Sequence, residues 1–272
     1  MLSDEEYQER IQKLKNRNLK ELYFIHIPKA AGSYVRHFPI PISAHGNHEQ
    51  FHSYPAYENV DREGMARVLN KDLLEKGEIV SGYIVGEQKP IKPSILRFAT
   101  VRNPFDYLIS CYFSGMVGAP GQTIRCAADH KDSRIHCTRC NGLGYEKFLT
   151  EYCKDQMLYL PCRKNLFHQI FDNKGRCCVD LLIMSEYIQN GLVQINNIVF
   201  YKKVDRNISK SHINVSLKRQ KRNYKEFYTE EIKQMVEKKV KKELDMFGYS
   251  FDGPVDKRPF VFLDRDKRYD IF

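Results

Sequence analysis

Short, mostly apolar runs rich in β-branched residues recur along the chain at Leu22–Ile27, Ile79–Val85, Ile95–Val101, Val179–Met184 and Ile198–Val204. This recurrence constrains the fold more than any other feature. Apolar residues occupy successive positions in these runs, so a strand built from one must be covered on both faces. Helical patterns accompany them. Glu146–Cys153 is one. Glu230–Phe247 is another, with Ile232, Met235, Val236, Val240, Leu244 and Phe247 on one stripe, Thr229 as N-cap and Gly248 ending the helix. A third is expected at the N-terminus, where Ser3 and Glu6 form a capping box and Tyr7, Ile11 and Leu14 share a face. Strands alternating with helices predict an α/β protein with a central parallel sheet flanked by helices.

The 272 residues suffice for one sizeable core. We expect a single domain at 21–253, preceded by the N-terminal helix (1–20) and followed by a tail (254–272). A cysteine-rich insert at about 115–178 would form a lid. Of the eight cysteines, Cys126, Cys137, Cys140, Cys153 and Cys162 crowd into fewer than forty residues of it. Only Cys137-Thr-Arg-Cys140 has paired zinc-ligand spacing, and no second such pair follows. Disulfides, free thiols and a zinc set of Cys126, Cys137, Cys140 and Cys153 therefore all remain open. The charged N-terminus lacks the apolar core of a secretory signal, and no apolar run is long enough to span a membrane. These features predict a soluble, cytoplasmic protein.

Ligands of such sheets bind at the carboxyl ends of strands, where loops meet helix N-termini. Two strand-to-helix junctions stand out. In FIHIPKAAGSY (Phe24–Tyr34) a strand runs into Lys29, then Ala30, Ala31 and Gly32, then Ser33 and Tyr34. Small residues leave backbone N–H groups open to an anion, Lys29 adds a charge and Ser33 a hydroxyl. A nucleotide-triphosphate loop would need Gly-Lys-Ser/Thr contiguous; here Lys29 precedes Gly32. The alternative is an ordinary turn with a surface lysine. In RFATVRNPFDYLISCYF the strand Ile95–Val101 ends at Arg102, Asn103 can cap, and Pro104 suits the first helical position. Asp106 and Ser110 lie on one face of the helix that follows. Either Arg102 and Ser110 hold a phosphate, or Arg102 pairs with Asp106 and Ser110 is surface.

With both junctions in hand, the sequence resembles the sulfotransferases that use 3′-phosphoadenosine 5′-phosphosulfate (PAPS), in particular their carbohydrate, Golgi-like branch. HIPKAAGSY resembles the family's 5′-phosphosulfate loop, typically HIPKTGGTS. VRNPFDYLISCYF resembles its 3′-phosphate motif, commonly VRNPxDRxxSxY. VDLLIMSEYI (Val179–Ile188), HINVSLKR (His212–Arg219), YKEFYTEE and FGYSFDG extend the similarity, so that it covers roughly 22–252. The resemblance implies a P-loop-NTPase-like fold, and PAPS as sulfuryl donor leaving PAP as product, with no metal required. It implies that Lys29 stabilises the leaving phosphate, and that Arg102 and Ser110 hold the 3′-phosphate. The N–H groups of Ala30, Ala31, Gly32, Ser33 and Tyr34 would cradle the phosphosulfate, with Lys218 and Arg219 adding charge.

The acceptor's proton requires a base. His45, His48, Glu49 and His52 cluster after a predicted strand, Pro39–Ser43; His48 aligns best, and histidine suits the task near neutral pH. Some carbohydrate branches carry Gly-His where this chain has Gly82-Tyr83; Glu87, just beyond, is a substitute. The acceptor is expected to be an anionic glycan or a small hydroxylated or amino metabolite. The net charge of +10 also admits a non-catalytic polyanion binder using Lys218–Lys225, and the first junction admits an NTP-dependent kinase or NTPase. No zinc-finger or RNA-recognition pattern appears, so no nucleic-acid partner is expected. The sequence leaves the oligomeric state open.

Overall fold

A computed structural model describes residues 2–25, 27, 30–38, 40, 79–80, 83–84, 94–114, 144–154, 170–171, 177, 179–200, 222–264 and 267–269. The protein is mixed α/β, with a mostly parallel central sheet flanked by helices. The elements in chain order are α1 (Asp4–Lys15), β1 (Glu21–Ile25), α2 (Gly32–His37), β2 (Ile79–Val80), β3 (Tyr83–Ile84), β4 (Ile95–Val101), α3 (Pro104–Ser114) and α4 (Tyr145–Cys153). There follow β5 (Leu181–Met184), α5 (Ile188–Phe200), α6 (Glu230–Lys239), α7 (Lys241–Phe247), β6 (Tyr249–Ser250), β7 (Gly253–Pro254) and β8 (Phe260–Phe262).

The central sheet runs β1-β4-β5-β8. β1, β4 and β5 are mutually parallel, and β8 closes the edge antiparallel to β5. Alternation along each strand assigns its side chains to two cores. On one face Leu22, Phe24, Leu96, Phe98, Leu181 and Ile183 meet residues of α1, α2 and α5. On the other Ile25, Ala99, Val101, Leu182 and Met184 meet residues of α3, α4, α6 and α7. This double cover is why the strand sequences are apolar at successive positions.

The expected caps are present. Ser3 and Glu6 form the reciprocal box at α1, with Tyr7 and Leu14 buried. The Ile232 N–H donates to Thr229 Oγ1 at α6, and Gly248 takes the left-handed conformation (φ 69°) after α7. β4 matches its predicted span.

Several expectations are corrected. The run Ile198–Val204 is not a strand through Phe200: Ile198–Phe200 complete α5, because Leu192, Ile195 and Val199 set a helical period that outweighs local β-branching. Ile79–Val85 does not join the parallel sheet as one strand. β2 and β3 pair with each other antiparallel, Ile79 opposite Ile84 and Val80 opposite Tyr83. The stripe at Glu230–Phe247 is two helices, broken at Val240 (φ −104°, ψ 20°). The segment expected as a tail supplies β8, whose Phe260 and Phe262 rings pack on Tyr7 of α1. Arg258 binds the Leu2 and Ser3 carbonyls, so the segment leading into β8 is fastened to the start of α1.

At the amino ends of the strands, buried Asp180 fixes the register of β4 against β5. Its Oδ2 accepts the Arg97 N–H (2.8 Å), and its Oδ1 accepts from Arg17 Nη1 (2.5 Å). Arg17 Nη2 also donates to the Ile95 carbonyl (3.0 Å). The charged pair thus secures the end of the sheet opposite the one where ligands are expected.

Candidate functional site

The carboxyl ends of β1, β4 and β5 lie side by side; among the described residues, α2 follows β1, α3 follows β4 and α5 follows β5 in chain order. After β1, Ala30 is fully buried and its N–H donates to the Ile27 carbonyl (3.3 Å). Ala31 has φ 62° and ψ 16°, the left-handed region, which costs a residue with a Cβ about 1–2 kcal/mol. The surroundings hold it there. The Ala31 carbonyl accepts from the N–H groups of Tyr34 (2.9 Å) and Val35 (3.2 Å) as α2 opens. The Thr100 hydroxyl on β4 donates to the Ala30 carbonyl. α2 has no side-chain cap and no acidic residue in its first turn. Gly32 is buried, Ser33 lies in that first turn, and half-buried Tyr34 has its phenol pKa pushed up by burial. Lys29 lies outside the described residues.

After β4 the chain passes through Arg102 and Asn103 into α3. Asn103 is 1% exposed and fully engaged. Its Oδ1 accepts the Phe105 N–H (3.0 Å), the expected cap, and its Nδ2 donates to the Ser250 carbonyl (2.7 Å). Arg102 Nε donates to Asp106 Oδ2 at 2.6 Å, both side chains half-buried. Of the two sequence readings for Arg102, the pairing with Asp106 is therefore the one seen here. Asp106 in the first turn of α3 suits the helix dipole, so an incoming phosphate would share the guanidinium with that carboxylate. Ser110 follows one turn later, half-buried.

Three side chains here had no role assigned from the sequence. One is Thr100. The others are Tyr249 and Glu186, which link β6 to the 3₁₀ turn after β5. The Tyr249 hydroxyl donates to Glu186 Oε2 (2.8 Å) and lies 3.4 Å from the Val101 carbonyl. Burial, then the Glu186 carboxylate, pushes the Tyr249 phenol well above its usual pKa, so it remains the donor. Glu186 is exposed. Neighbouring strands are about 4.8 Å apart, so the end of β5 is roughly 10 Å from that of β1. Glu186 therefore belongs to the Arg102 side of the site. Both residues fall in stretches the sequence already singled out, VDLLIMSEYI and FGYSFDG, but nothing in either marked the contact between them.

The described part of the basic run is internally neutralised. Arg222 pairs with Glu226 (3.0 Å) and Lys225 with Asp252 (2.6 Å). Lys218 and Arg219 lie outside the described residues, as do His45, His48, Glu49, His52 and Glu87. Cys126, Cys137, Cys140 and Cys162 do too, whereas Cys153 ends α4, half-buried. Among the described residues, no group of three or more His, Cys, Asp or Glu is placed to hold a metal ion. No described helix is long and apolar enough to cross a membrane.

Among the described residues, the polar groups at these two junctions include the backbone N–H groups of Ala31, Gly32 and Ser33, the Arg102 guanidinium, already paired with Asp106, and the Ser110 hydroxyl. No family model, curated protein or solved structure matches the chain.

Proposed function

We propose that this protein is a PAPS-dependent sulfotransferase. One observation carries the reading: the stretches HIPKAAGSY and VRNPFDYLISCYF follow β1 and β4, which are adjacent and parallel. A ligand with anionic groups at both ends can lie across two such neighbouring junctions, and PAPS is one. The 5′-phosphosulfate would sit on the N–H groups of Ala31, Gly32 and Ser33 with the Ser33 hydroxyl, since the Ala30 and Tyr34 N–H groups, also expected there, already donate to the Ile27 and Ala31 carbonyls. The 3′-phosphate would sit on Arg102 and Ser110, with Lys218 and Arg219 adding charge.

The reaction is an in-line displacement at sulfur. The acceptor oxygen or nitrogen forms a bond to sulfur as the bond from sulfur to the 5′-phosphate oxygen breaks. PAP leaves with the electron pair, its new charge met by Lys29. The acceptor proton passes to a base drawn from His45, His48, Glu49 and His52, with His48 foremost. Positioning and charge stabilisation supply the acceleration, as in phosphoryl transfer, and no step calls for a metal. The acceptor class we favour is a carbohydrate hydroxyl, ahead of a small hydroxylated or amino metabolite.

The test is transfer of label from sulfur-labelled PAPS to a panel of glycans and small hydroxylated or amino compounds. Labelled product is expected with the native chain, and none above background with a folded Lys29→Ala variant. A Lys29→Ala variant as active as the native chain would refute the mechanism.

A further inference from the structure

We infer that Thr100 is a positioning residue that sets the phosphosulfate loop against the 3′-phosphate motif. This rests on the function proposed above. Thr100 is fully buried on β4, two residues before Arg102. Its backbone is paired with β5, where Thr100 faces Ile183, and the preceding residue, Ala99, pairs with Ile25 of β1. Among the described residues, the backbone ladder between β1 and β4 runs as far as Ile25 and Ala99. Beyond that point the Thr100 hydroxyl donates to the carbonyl of Ala30, itself fully buried. The next residue, Ala31, makes the left-handed turn into α2.

One buried hydroxyl thus ties the turn that presents the first set of N–H groups to the strand that ends in the arginine. Without it the Ala30 carbonyl loses this donor in a place closed to water, and an unpaired buried acceptor is expensive. The turn relaxes by moving relative to β4. A ligand that grips only one junction does not register such a movement. A ligand that spans both does, because its two anionic ends are a fixed distance apart.

The test compares PAP with adenosine 3′-monophosphate, which can engage only the second junction, by calorimetry on folded protein. Thr100→Val keeps the shape and removes the hydroxyl. It should bind PAP about tenfold or more weakly, while adenosine 3′-monophosphate binds as it does to the native protein. Thr100→Ser, which keeps the hydroxyl, should bind PAP like the native protein. Thr100→Ala gives the same pattern as Thr100→Val and serves if that variant does not fold.

Three results would overturn the inference: native PAP affinity in the variants lacking the hydroxyl, equal weakening of both ligands, or Thr100→Ser as weak as Thr100→Val. Failure of the native protein to bind PAP would instead overturn the function on which the inference rests.

Discussion

Gly191 of α5 sits against β5, and replacing it with alanine tests the packing that fixes the end of that strand and the Glu186 turn. A Cβ at Gly191 would lie 2.3 Å from Ile183 Cγ2, and 3.4 Å from both Ile183 Cβ and Cδ1. Carbon atoms pack at about 3.5–4.0 Å, so the overlap exceeds 1 Å. Ile183 cannot yield easily. It is fully buried, its β-branched side chain is stiff, and its strand is paired on both sides. The helix must therefore shift outward. Overpacking of this kind costs about 1–3 kcal/mol, against a gain of roughly 0.8–1 kcal/mol for alanine over glycine in a helix interior. The net expectation is a loss of up to about 2 kcal/mol, which lowers the melting temperature by as much as roughly 4–8 °C in a protein of this size. A double-mutant cycle in denaturant isolates the contact. In an Ile183→Ala background the clash is gone, and Gly191→Ala should become neutral or stabilising, with a coupling of about 1–3 kcal/mol. If Gly191→Ala destabilises equally in both backgrounds, or raises the melting temperature of the native protein, the packing argument fails.

Two further outcomes are expected. Asp180→Ala leaves Arg17 without its carboxylate and the Arg97 N–H without its acceptor; it should cost about 3–5 kcal/mol in denaturant unfolding, and a loss under 1 kcal/mol would contradict its assigned role. The Asp264 carboxyl is held below its usual pKa, first by the hydrogen bond from Arg10. A depressed folded-state pKa gives stability that is complete above the unfolded value near 3.8 and is lost as pH falls through the folded value. Arg10→Gln should therefore destabilise slightly at pH 6, the pair being half-exposed, and make the acid limb of a melting-temperature profile shallower. An unchanged limb would refute the linkage.

Much of this architecture could be read from the chain because its local signals agree with its tertiary ones. Ile95–Val101 is apolar on both faces, and both faces are covered. Ser3, Thr229, Asn103 and Gly248 cap because their side chain, or its absence, satisfies helix ends by short-range chemistry. What could not be read depends on residues outside the run itself, some of them distant in sequence. Ile198–Phe200 reads as a strand in isolation and as a helix once Leu192 and Ile195 fix the period. The short run Phe260–Phe262 becomes a sheet edge only because β5 offers one and Tyr7 covers it. At the site, Arg102 and Asn103 announced themselves by lying between a strand and a proline. The Thr100–Ala30 and Tyr249–Glu186 bonds did not, for they join residues 70 and 63 positions apart and no short-range pattern marks either.

The central claim is that two neighbouring junctions bind one doubly anionic adenosine ligand, and the most direct measurement is the melting temperature of the native protein with PAP. At a free concentration one hundred times the dissociation constant, a ligand that binds only the folded state adds about 2.7 kcal/mol, or roughly 5–11 °C here. We expect a saturable rise of that order with PAP, reduced in Arg102→Ala and independent of magnesium. No shift at millimolar PAP, or a shift given by magnesium-ATP in its place, would contradict the account.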